Sequence, residues 1–276
     1  MEFSLPKRYE VSNKSTYGRV LNIAGSDYMP GAAYLSSVSA LKIGCGYCFL
    51  CSNERVIDSV ASKTSNVVFV PVGNLSSALG SADVVEFGCG LGQDIYAQNL
   101  FDLFLDYTNA KTPVVVDADG LNLISKNPEK FINKAFEKIV FTPHPKEAAR
   151  LLGIENIDDD FKSSSKLISD KYNCVTVLKS HKTFVYSPDG RFYTNTTGNN
   201  SMAKAGSGDV LTGIIAGLTA QRMELFEASC MGVYLHGFSG DIAKEKLTEY
   251  SVMAEDLINN IPLAVKNYIN SSTKCY

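Results

Sequence analysis

The glycine-rich segment 205–209 is the part of the sequence whose residue types best suit phosphate chemistry. Two glycines bracket Ser207, and the apolar run 210–215 that follows has the character of a buried helix. Successive free backbone N–H groups at the start of a helix form a positive concavity, which stabilises charge on a transferring phosphoryl group. The segment therefore predicts an anion site built on the backbone of Gly206 and Gly208.

Asp209 lies directly beside this predicted anion site, where its carboxylate would repel a phosphate. The role that a carboxylate can fill there is to take a proton from an attacking hydroxyl. The alternative is that Ser207 or Asp209 only caps the helix. Glycines on both sides of Ser207 exceed what a cap requires, so the segment favours phosphoryl transfer, with Gly206, Gly208 and Asp209 as the catalytic residues.

Two further glycine-rich loops each join a predicted strand to a predicted helix. Residues 25–33 carry Gly and Ala positions where a ligand could approach the backbone closely, or they form an ordinary strand-to-helix turn. Residues 88–94 contain three alternate glycines, which suit an anion or a planar ring. They do not match the dinucleotide-binding fingerprint, because the third glycine is not at the required spacing.

His144 stands between Pro143 and Pro145, where a predicted strand ends and a predicted helix begins. The prolines restrict the backbone, so His144 could contact a substrate, and Glu147, one turn into the helix, could help to place a cation. Alternatively, Thr142 caps the helix and Glu147 completes the capping arrangement. The residues themselves leave both alternatives open.

The cysteines at 45, 48 and 51 could suggest a metal site, but residues 46–51 predict a buried strand. In a strand the side chains of Cys45 and Cys51 would share one face and Cys48 would take the other. The three thiolates would not converge, and no fourth ligand stands at a familiar zinc spacing. We therefore expect no metal there. His236 lies within a helical stretch and predicts a packed core residue.

Short β-branched runs alternate with longer helical stretches, which predicts an α/β sheet with mostly parallel neighbours. We expect strands at residues 20–24, 46–51, 66–70, 84–88, 114–117, 138–142 and 174–179. We expect helices between them at residues 32–43, 94–107, 128–136, 145–152 and 159–171. Because such a sheet binds its ligands at the carboxyl ends of the strands, the loops described above are predicted to lie together.

The order of elements changes in the last third of the chain. Residues 183–187 and 191–195 flank the turn sequence Pro-Asp-Gly at 188–190, which predicts an antiparallel hairpin. The remainder predicts helices at residues 208–221, 225–247 and 253–270. No linker, charge block or repeat divides the sequence, so we expect residues 1–276 to form a single domain.

Composition excludes several classes of protein. The chain has 276 residues with 45% hydrophobic and 20% charged residues, enough for a buried core. A net charge of -3 argues against nucleic acid as a partner. No apolar run reaches the roughly 18–20 residues of a membrane span, and the first residues lack the pattern of an export signal. We expect no membrane partner, a cytoplasmic location and reduced thiols for the odd number of seven cysteines.

Five segments, taken together and in this order, resemble the NAD(P)HX dehydratases, the YjeF C-terminal-type members of the ribokinase-like superfamily. The segments are residues 25–33, 88–94, 115–122, 142–147 and 197–209. The resemblance extends from about residue 17 to Pro262. It implies a ribokinase-like fold of three α/β/α layers, with a mostly parallel central sheet and a late antiparallel hairpin.

The resemblance also implies an activity. Members of this family use ADP or ATP, with Mg²⁺, to dehydrate NADHX and NADPHX, the hydrated forms of damaged nicotinamide cofactors, to NADH and NADPH. The nucleotide phosphorylates the hydroxyl of the hydrate, and phosphate is then eliminated. The family commonly forms homotetramers. The alternatives are an ATP-dependent kinase for a vitamin precursor or a sugar, as elsewhere in the superfamily, and a nucleotide-binding protein without turnover.

By resemblance, each ligand is assigned a set of residues. The hydrate would contact Ala32, Ala33, Gly90, Gly92, His144 and Asp209. The nucleotide would contact Lys179, Ser180, His181, Lys182, Thr183 and Gly208, and Glu147 would help to hold the metal ion. The sequence departs from the family pattern near the phosphates at Asn200, Ser201, Ala205 and Ser180, where side chains or backbone freedom differ.

Overall fold

The computed structural model describes residues 3–272, and nine strands in them form one continuous sheet. The strands are β1 (Arg19–Ile23), β2 (Tyr47–Ser52), β3 (Val68–Pro71), β4 (Val84–Phe87), β5 (Val114–Val116), β6 (Ile139–Phe141), β7 (Val175–Leu178), β8 (Phe184–Tyr186) and β9 (Phe192–Thr194). Their order is β3-β2-β1-β4-β5-β6-β7-β8-β9. Neighbours from β3 to β7 are parallel, whereas β8 is antiparallel to both β7 and β9. The predicted mostly parallel sheet with a late hairpin is confirmed.

Helices cover both faces of this sheet. They are α1 (Pro30–Lys42), α2 (Glu54–Ala61), α3 (Leu75–Ser81), α4 (Ile95–Tyr107), α5 (Asp119–Lys126), α6 (Pro128–Ile132), α7 (Pro145–Leu152), α8 (Phe161–Tyr172), α9 (Ser207–Ala220), α10 (Leu225–Lys246) and α11 (Ala254–Ser272). The sequence did not predict α2, α3 and α5, because helices of seven or eight residues are too short for the helical period to stand out. The predicted helix 128–136 ends early, at Ile132.

The two faces of the sheet are covered by separate apolar clusters, which confirms the three-layer arrangement. Side chains alternate along each strand, so one set of strand valines packs under α9, α10 and α11, including Val20, Val84 and Val140. The intervening residues, such as Phe87 and Phe141, pack on the other face under the helices from α3 to α8. Among residues 3–272, none of the helices has the length and apolar character needed to cross a membrane.

The cysteine prediction needs a correction. Cys45 and Cys48 pack in the same apolar cluster, and Cys51 packs on the opposite face of the sheet. Strand β2 begins only at Tyr47, so the alternation of side chains does not extend back to Cys45. The six described cysteines are free thiols, the described residues hold no group of three or more possible metal ligands, and Cys275 lies outside the described residues.

The topology of the sheet places the predicted loops at one edge. Strand β1 lies between β2 and β4, so the chain leaves the carboxyl ends of β1 and β4 toward opposite sides of the sheet. Such a switch point opens a crevice between the two loops. Residues 25–33 follow β1 and residues 88–94 follow β4, while residues 142–147 and 179–183 follow β6 and β7.

Helix α9 crosses α1 at very short range, and this contact positions the start of α9 above the crevice. A Cβ atom built on Gly213 would lie 2.1 Å from the carbonyl oxygen of Ser36 and 2.2 Å from Ser39 Oγ. One turn later, a Cβ atom on Gly217 would lie 2.4 Å from a side-chain carbon of Ile43. The two glycines therefore let the helix backbones approach more closely than any other residue would.

We predict that Gly213→Ala lowers the free energy of unfolding by about 1–3 kcal/mol, because the new methyl group must push α9 away from α1. Chemical denaturation with detection by circular dichroism measures this change. The matched control is Gly80→Ala in helix α3, where a Cβ atom would meet nothing within 4 Å. We expect its stability to be unchanged or raised by up to about 1 kcal/mol. Equal stabilities of the two variants would contradict the close contact.

Candidate active site

The loops after β1 and β4 lie against each other. The N–H group of Gly25 donates to the carbonyl oxygen of Cys89 at 2.8 Å, and a Cβ atom built on Gly90 would lie 2.6 Å from Ala32 Cβ. The N–H group of Gly92 donates to Asp119 at 2.8 Å. The structure thus brings Ala32, Gly90 and Gly92 together at one end of the crevice.

Ala33 lies deeper than its neighbours. Its side chain is fully buried beneath Gly25, in the apolar cluster that also contains Val56. Ala32, by contrast, is half-exposed. A contact between the hydrate and Ala33 stays a prediction, and only the backbone of this residue is placed to make it.

Helix α9 is preceded by a glycine and has no side-chain cap. Its first residue is preceded by Gly206 in a left-handed conformation, with a φ of 93°, and no side chain accepts a hydrogen bond from the first turn. The alternative that Ser207 or Asp209 caps the helix is therefore wrong. Leu35 and Ala254 lie so close to Gly206 that a Cβ atom there would be 2.6 and 2.9 Å from their side chains.

Two backbone donors at the start of α9 remain available. The N–H group of Ser207 donates to the carbonyl oxygen of Lys204 at 3.3 Å. The N–H groups of Gly208 and Asp209 have no acceptor among residues 3–272. Together with the dipole of a 14-residue helix they form a positive site for an anion. The amide of Ser207, between the two glycines of the predicted anion site, is therefore already used.

A largely buried ion pair lies beside the first turn of α9, with 20% of the Lys179 side chain and 2% of the Asp117 side chain exposed. Lys179, after β7, contacts Asp117, after β5, with 2.6 Å between Nζ and Oδ1. Thr212 donates its hydroxyl to the other oxygen of Asp117 at 2.7 Å. Burial acts to raise the pKa of Asp117, but the ammonium of Lys179 and these hydrogen bonds outweigh it, so the pKa is lowered. Asp117 is therefore a carboxylate, and Lys179 is an ammonium.

The ammonium of Lys179 is placed beside the free amides. A Cβ atom built on Gly208 would lie 3.2 Å from Lys179 Nζ. Sequence reasoning included Asp117 in the segment 115–122 that resembles the family but gave it no role, although an acidic residue directly after the strand Val114–Val116 is a usable signal. Thr212 lies inside the apolar helix α9, and no pattern in the sequence distinguishes it.

Asp209 is a carboxyl group with an unusual environment. Burial raises its pKa to about 6, the negative charge of Asp117 adds to this rise, and a hydrogen bond from Cys89 and the charge of Lys179 partly offset it. A base with a pKa near the working pH is efficient, since it is deprotonated and still accepts a proton. The site therefore combines two anion-binding amides, an ammonium and a base.

A pocket of about 770 Å³ opens beside Gly208. Its walls include four of the five residues predicted to hold the nucleotide after β7: Lys179, Ser180, His181 and Thr183. Lys182 is not on the wall, and its backbone instead exchanges hydrogen bonds with the hydroxyl of Ser180. A second cavity, of about 560 Å³, lies at the amino ends of the strands and contains none of the predicted site residues.

His236 forms part of the pocket wall, which sequence reasoning did not predict. It is buried, as expected, and its Nε2 atom lies 3.3 Å from Ser207 Oγ. Burial lowers its pKa to about 4, so the imidazole is neutral. Its position in the middle of helix α10 carries no signal in the sequence, because only the fold brings α10 to the start of α9.

His144 and Glu147 form a capping box at the start of α7. The N–H groups of Lys146 and Glu147 donate to His144 Nδ1, and the N–H group of His144 donates to Glu147 at 2.8 Å. Of the capping alternative, the role of Glu147 is confirmed and the cap by Thr142 is wrong, because His144 is the cap and the Thr142 hydroxyl donates to the carbonyl oxygen of Val116. The His144 side chain is 45% exposed at the edge of the crevice. Burial raises the pKa of Glu147 to about 7, with Asp117 adding to the rise.

Two of the residues that depart from the family pattern, Asn200 and Ser201, form hydrogen bonds with neighbouring residues. Asn200 donates to Glu249 at 3.1 Å and accepts from Lys244 at 3.0 Å. Its side chain is thereby tied to the end of α10. Ser201 bonds to Asn199 through both its N–H group and its hydroxyl. These residues stabilise the segment that leads into the loop at 205–209.

The fold and the site together define a protein of the ribokinase-like class. A solved structure described as a ribokinase-like superfamily protein of Enterococcus faecalis aligns over 96% of this chain and 92% of its own, with a TM-score of 0.87 and 29% identity. The family model for NAD(P)H-hydrate dehydratase matches residues 20–263. The chain belongs to the NAD(P)H-hydrate dehydratase family.

Named relatives agree with this assignment. The ADP-dependent (S)-NAD(P)H-hydrate dehydratase of Neisseria meningitidis is 36% identical over 86% of this chain and 81% of its own. The ADP/ATP-dependent dehydratase of Bacillus subtilis, co-crystallised with ATP and Mg²⁺, aligns over 96% of this chain and 94% of its own, with a TM-score of 0.84 and 29% identity. The chain spans about half the length of the bifunctional repair enzymes that it also matches, 52% in the case of the one from Moorella thermoacetica.

We predict that Lys179→Met lowers the free energy of unfolding by about 3 kcal/mol or more, because it leaves the Asp117 carboxylate buried without its partner. Denaturant titration measures the loss. The matched control is Lys166→Met, which breaks an ion pair with Asp170 on the surface of α8. We expect no measurable change in the control. A stable Lys179→Met protein would contradict the role given to this pair.

Proposed function

We propose that this protein repairs nicotinamide cofactors by the nucleotide-dependent dehydration of NADHX and NADPHX to NADH and NADPH. The observation that carries the proposal is the first turn of α9. There, the two free amides of Gly208 and Asp209 and the ammonium of Lys179 adjoin a carboxyl group whose pKa is about 6. Membership of the dehydratase family and the names of the relatives support the choice of substrate.

Each ligand has its own half of the crevice in this proposal. The hydrate lies against Ala32, Ala33, Gly90, Gly92 and His144, with its hydroxyl toward Asp209. The adenine nucleotide occupies the pocket of about 770 Å³, against Lys179, Ser180, His181, Thr183 and the backbone of Gly208. Lys182 contributes through its backbone to the turn that Ser180 closes.

The chemistry follows from this placement. Asp209 takes the proton of the hydrate hydroxyl while the hydroxyl oxygen bonds to the terminal phosphorus of ADP or ATP, and AMP or ADP leaves. The amides of Gly208 and Asp209, with Gly206 permitting the turn, stabilise the charge on the transferring group. Phosphate then leaves from the ring carbon with loss of a proton from the neighbouring carbon, which restores the double bond of the dihydropyridine.

Mg²⁺ accompanies the nucleotide in this proposal. Magnesium sites of this kind use one or two carboxylates together with the phosphates of the substrate. That chemistry fits a crevice whose described residues contain no group of three possible metal ligands. Glu147 is the carboxylate that we propose for the ion. Its Oε2 atom accepts a hydrogen bond from the backbone N–H group of His144. Its Oε1 atom, which lies 3.3 Å from His144 Nε2, accepts none from the backbone and is the oxygen that we propose for the ion. When bound, Mg²⁺ would neutralise charge on the phosphates.

Kinases of vitamin precursors share this fold, but they are only 15–18% identical to the chain, a likeness that shows the fold alone. The product separates the two activities, because a kinase leaves a stable phosphate ester on its acceptor. From the sequence pattern we also propose a single domain and a cytoplasmic location, and from the family resemblance a homotetramer. Light scattering of the purified protein tests the assembly.

The direct experiment is to incubate the purified protein with NADHX or NADPHX, ADP or ATP, and Mg²⁺. We expect the absorbance of the reduced nicotinamide to return, with one phosphate released for each molecule repaired. Controls without nucleotide should stay flat. No recovery with either nucleotide and either hydrate would refute the proposed function.

We predict that Asp209→Asn lowers kcat by about 10²–10⁴-fold, because the amide keeps the shape of the carboxylate but cannot take a proton. Nucleotide affinity, measured by calorimetry, should change little. The control is Asp102→Asn, which affects only an exposed ion pair with Lys130 and should leave kcat as in the wild type. An active Asp209→Asn enzyme would show that another group is the base.

We predict that kcat/KM falls below about pH 6, by about tenfold for each unit of pH. The sign follows from the raised pKa of Asp209: an ordinary aspartate would stay deprotonated to about pH 4, whereas this one gains its proton near pH 6. Glu147 has a raised pKa as well, about 7. Glu147→Gln should therefore keep the acid limb near pH 6, whatever its effect on kcat. Loss of the limb in that variant would assign it to Glu147.

A further inference from the structure

The hydroxyl of Ser207 is a polar group at the start of α9 that the proposed mechanism does not use. Ser207 lines the pocket of about 770 Å³ together with Gly208 and Lys179. Its amide is occupied by the carbonyl oxygen of Lys204. Its hydroxyl has one hydrogen-bond partner among residues 3–272, which is His236 Nε2 at 3.3 Å. The hydroxyl is therefore the donor that Ser207 can still offer to a ligand in the pocket.

Helix packing brings the imidazole of His236 to this hydroxyl. A Cβ atom built on Gly232 would lie 2.7 Å from Ile215 Cγ1, so α10 crosses α9 at short range there. His236 follows Gly232 by one turn on the same face of α10, and Ser207, Leu211 and Ile215 share one face of α9. The contact between His236 and Ser207 thus continues the line along which the two helices pack.

The segment that leads into α9 fixes α10 close to His236. The hydroxyl of Thr197 donates to the carbonyl oxygen of Tyr234 at 2.8 Å. A Cβ atom built on Gly237 would lie 2.4 Å from Thr197 Oγ1, so the two backbones touch at this point. His236 itself is only 9% exposed. Its imidazole therefore has little room to move away from Ser207.

A neutral imidazole suits a hydroxyl that must change its hydrogen-bond direction. It has one N–H group and one bare nitrogen, so Nε2 can either accept from Ser207 or donate to it. Burial keeps His236 neutral, since its pKa is lowered to about 4. Exchange between the two tautomers changes no net charge. His236 can therefore remain bonded to Ser207 whichever way the hydroxyl hydrogen points.

A phosphate at the start of α9 would determine that direction. The free amides of Gly208 and Asp209 would bind its oxygens, next to the Ser207 hydroxyl. Phosphate oxygens are charged acceptors, and hydrogen bonds to them are about twice as strong as bonds between neutral groups. The single hydrogen of the hydroxyl would then go to the phosphate, and Nε2 would need its own hydrogen to keep the bond to Ser207 Oγ.

We propose that Ser207 donates its hydroxyl hydrogen to the terminal phosphate of the bound nucleotide, and that His236 is the positioning residue that directs it. In this arrangement the Nε2–H group of His236 donates to Ser207 Oγ and turns the hydroxyl hydrogen into the pocket. The inference deepens the proposed function and rests on it where the nucleotide is placed in this pocket. It adds a neutral side-chain donor to the two amides and to the ammonium of Lys179.

The first test is the affinity for ATP with Mg²⁺, measured by calorimetry without any hydrate. We expect Ser207→Ala to weaken binding by about 10–100-fold, because a hydrogen bond to a charged group is lost. The matched control is Ser229→Ala in α10, which removes a hydroxyl that bonds to the backbone of its own helix at Leu225. The control should bind ATP like the wild type. Unchanged affinity in Ser207→Ala would overturn the proposal.

Two substitutions of His236 separate its hydrogen bond from its volume. Phe keeps a ring of similar size and has no donor, whereas the amide of Gln can donate from near the position of Nε2. We expect His236→Phe to weaken ATP binding by about tenfold and His236→Gln to stay within about threefold of the wild type. If both variants lose affinity equally, the imidazole acts by its volume and the proposal is wrong.

The double variant Ser207→Ala/His236→Phe tests whether the two residues act as one unit. Because His236 is proposed to act only through the hydroxyl, the double variant should bind ATP about as weakly as Ser207→Ala alone. Losses that multiply in the double variant would show that His236 acts on the nucleotide by another route. That result would contradict its role as a positioning residue.

A measurement on the wild-type chain covers the case in which His236→Phe does not fold. The nitrogen-15 NMR signals of the imidazole report which nitrogen carries the hydrogen, and the signals of His236 are identified by their loss in His236→Gln. We expect Nε2 to carry the hydrogen in the complex with ATP and Mg²⁺. A bare Nε2 in that complex would overturn the proposal.

These affinities do not depend on repair, so the two proposals can fail separately. If the pattern is found in a protein that repairs no hydrate, the proposed function fails and the roles of Ser207 and His236 stand. If the wild type repairs the hydrate and the pattern is absent, only these roles fail. A wild-type protein that binds neither ATP nor ADP would overturn both.

Discussion

The buried ion pair between Lys179 and Asp117 is the interaction on which the arrangement of the site depends. It links the ends of β5 and β7, and through the hydroxyl of Thr212 it also holds helix α9. The cost of burying the two charges is met by their close contact and by these hydrogen bonds. The same pair leaves the ammonium of Lys179 beside Gly208, at the point where helix α9 presents its free amides.

The ion pair also affects the pKa of the neighbouring Asp209. The ionised Asp117 disfavours a second negative charge nearby, and burial acts in the same direction, so Asp209 has a pKa of about 6. Asp117 thus becomes a permanent counter-ion of Lys179, whereas Asp209, the proposed base, can gain and lose a proton near pH 6. The two aspartates at the same edge of the sheet differ in pKa because only Asp117 contacts the lysine.

The loops were predictable because glycine and proline residues reflect the backbone geometry that turns require. The glycines at 206 and 208 marked the start of helix α9 and the prolines around His144 marked the junction between β6 and α7, and the alternation of strands and helices predicted a mostly parallel sheet. The order of the strands in the sheet was not predicted. The hydrogen bonds within the loops were harder to predict from the sequence. The cap of α7 is formed by His144 and not by Thr142, since residue preferences for caps are weaker than the restrictions that the two prolines impose. Helices α2, α3 and α5 were too short to show a period.

The sequence by itself determined the class of fold and predicted that the loops at residues 25–33, 88–94 and 142–147 lie at one edge of the sheet, because these features depend on local pattern and on the rule that parallel strands end together. Asp209, Gly206 and Gly208 are the catalytic residues that the same local pattern predicts. Only the tertiary structure decided which groups face them. Asp117, Thr212 and His236 come from different strands and helices, and their hydrogen bonds and pKa values depend on distances that no local pattern encodes. Burial and contact between remote segments act through space, so those properties exist only once the chain has folded.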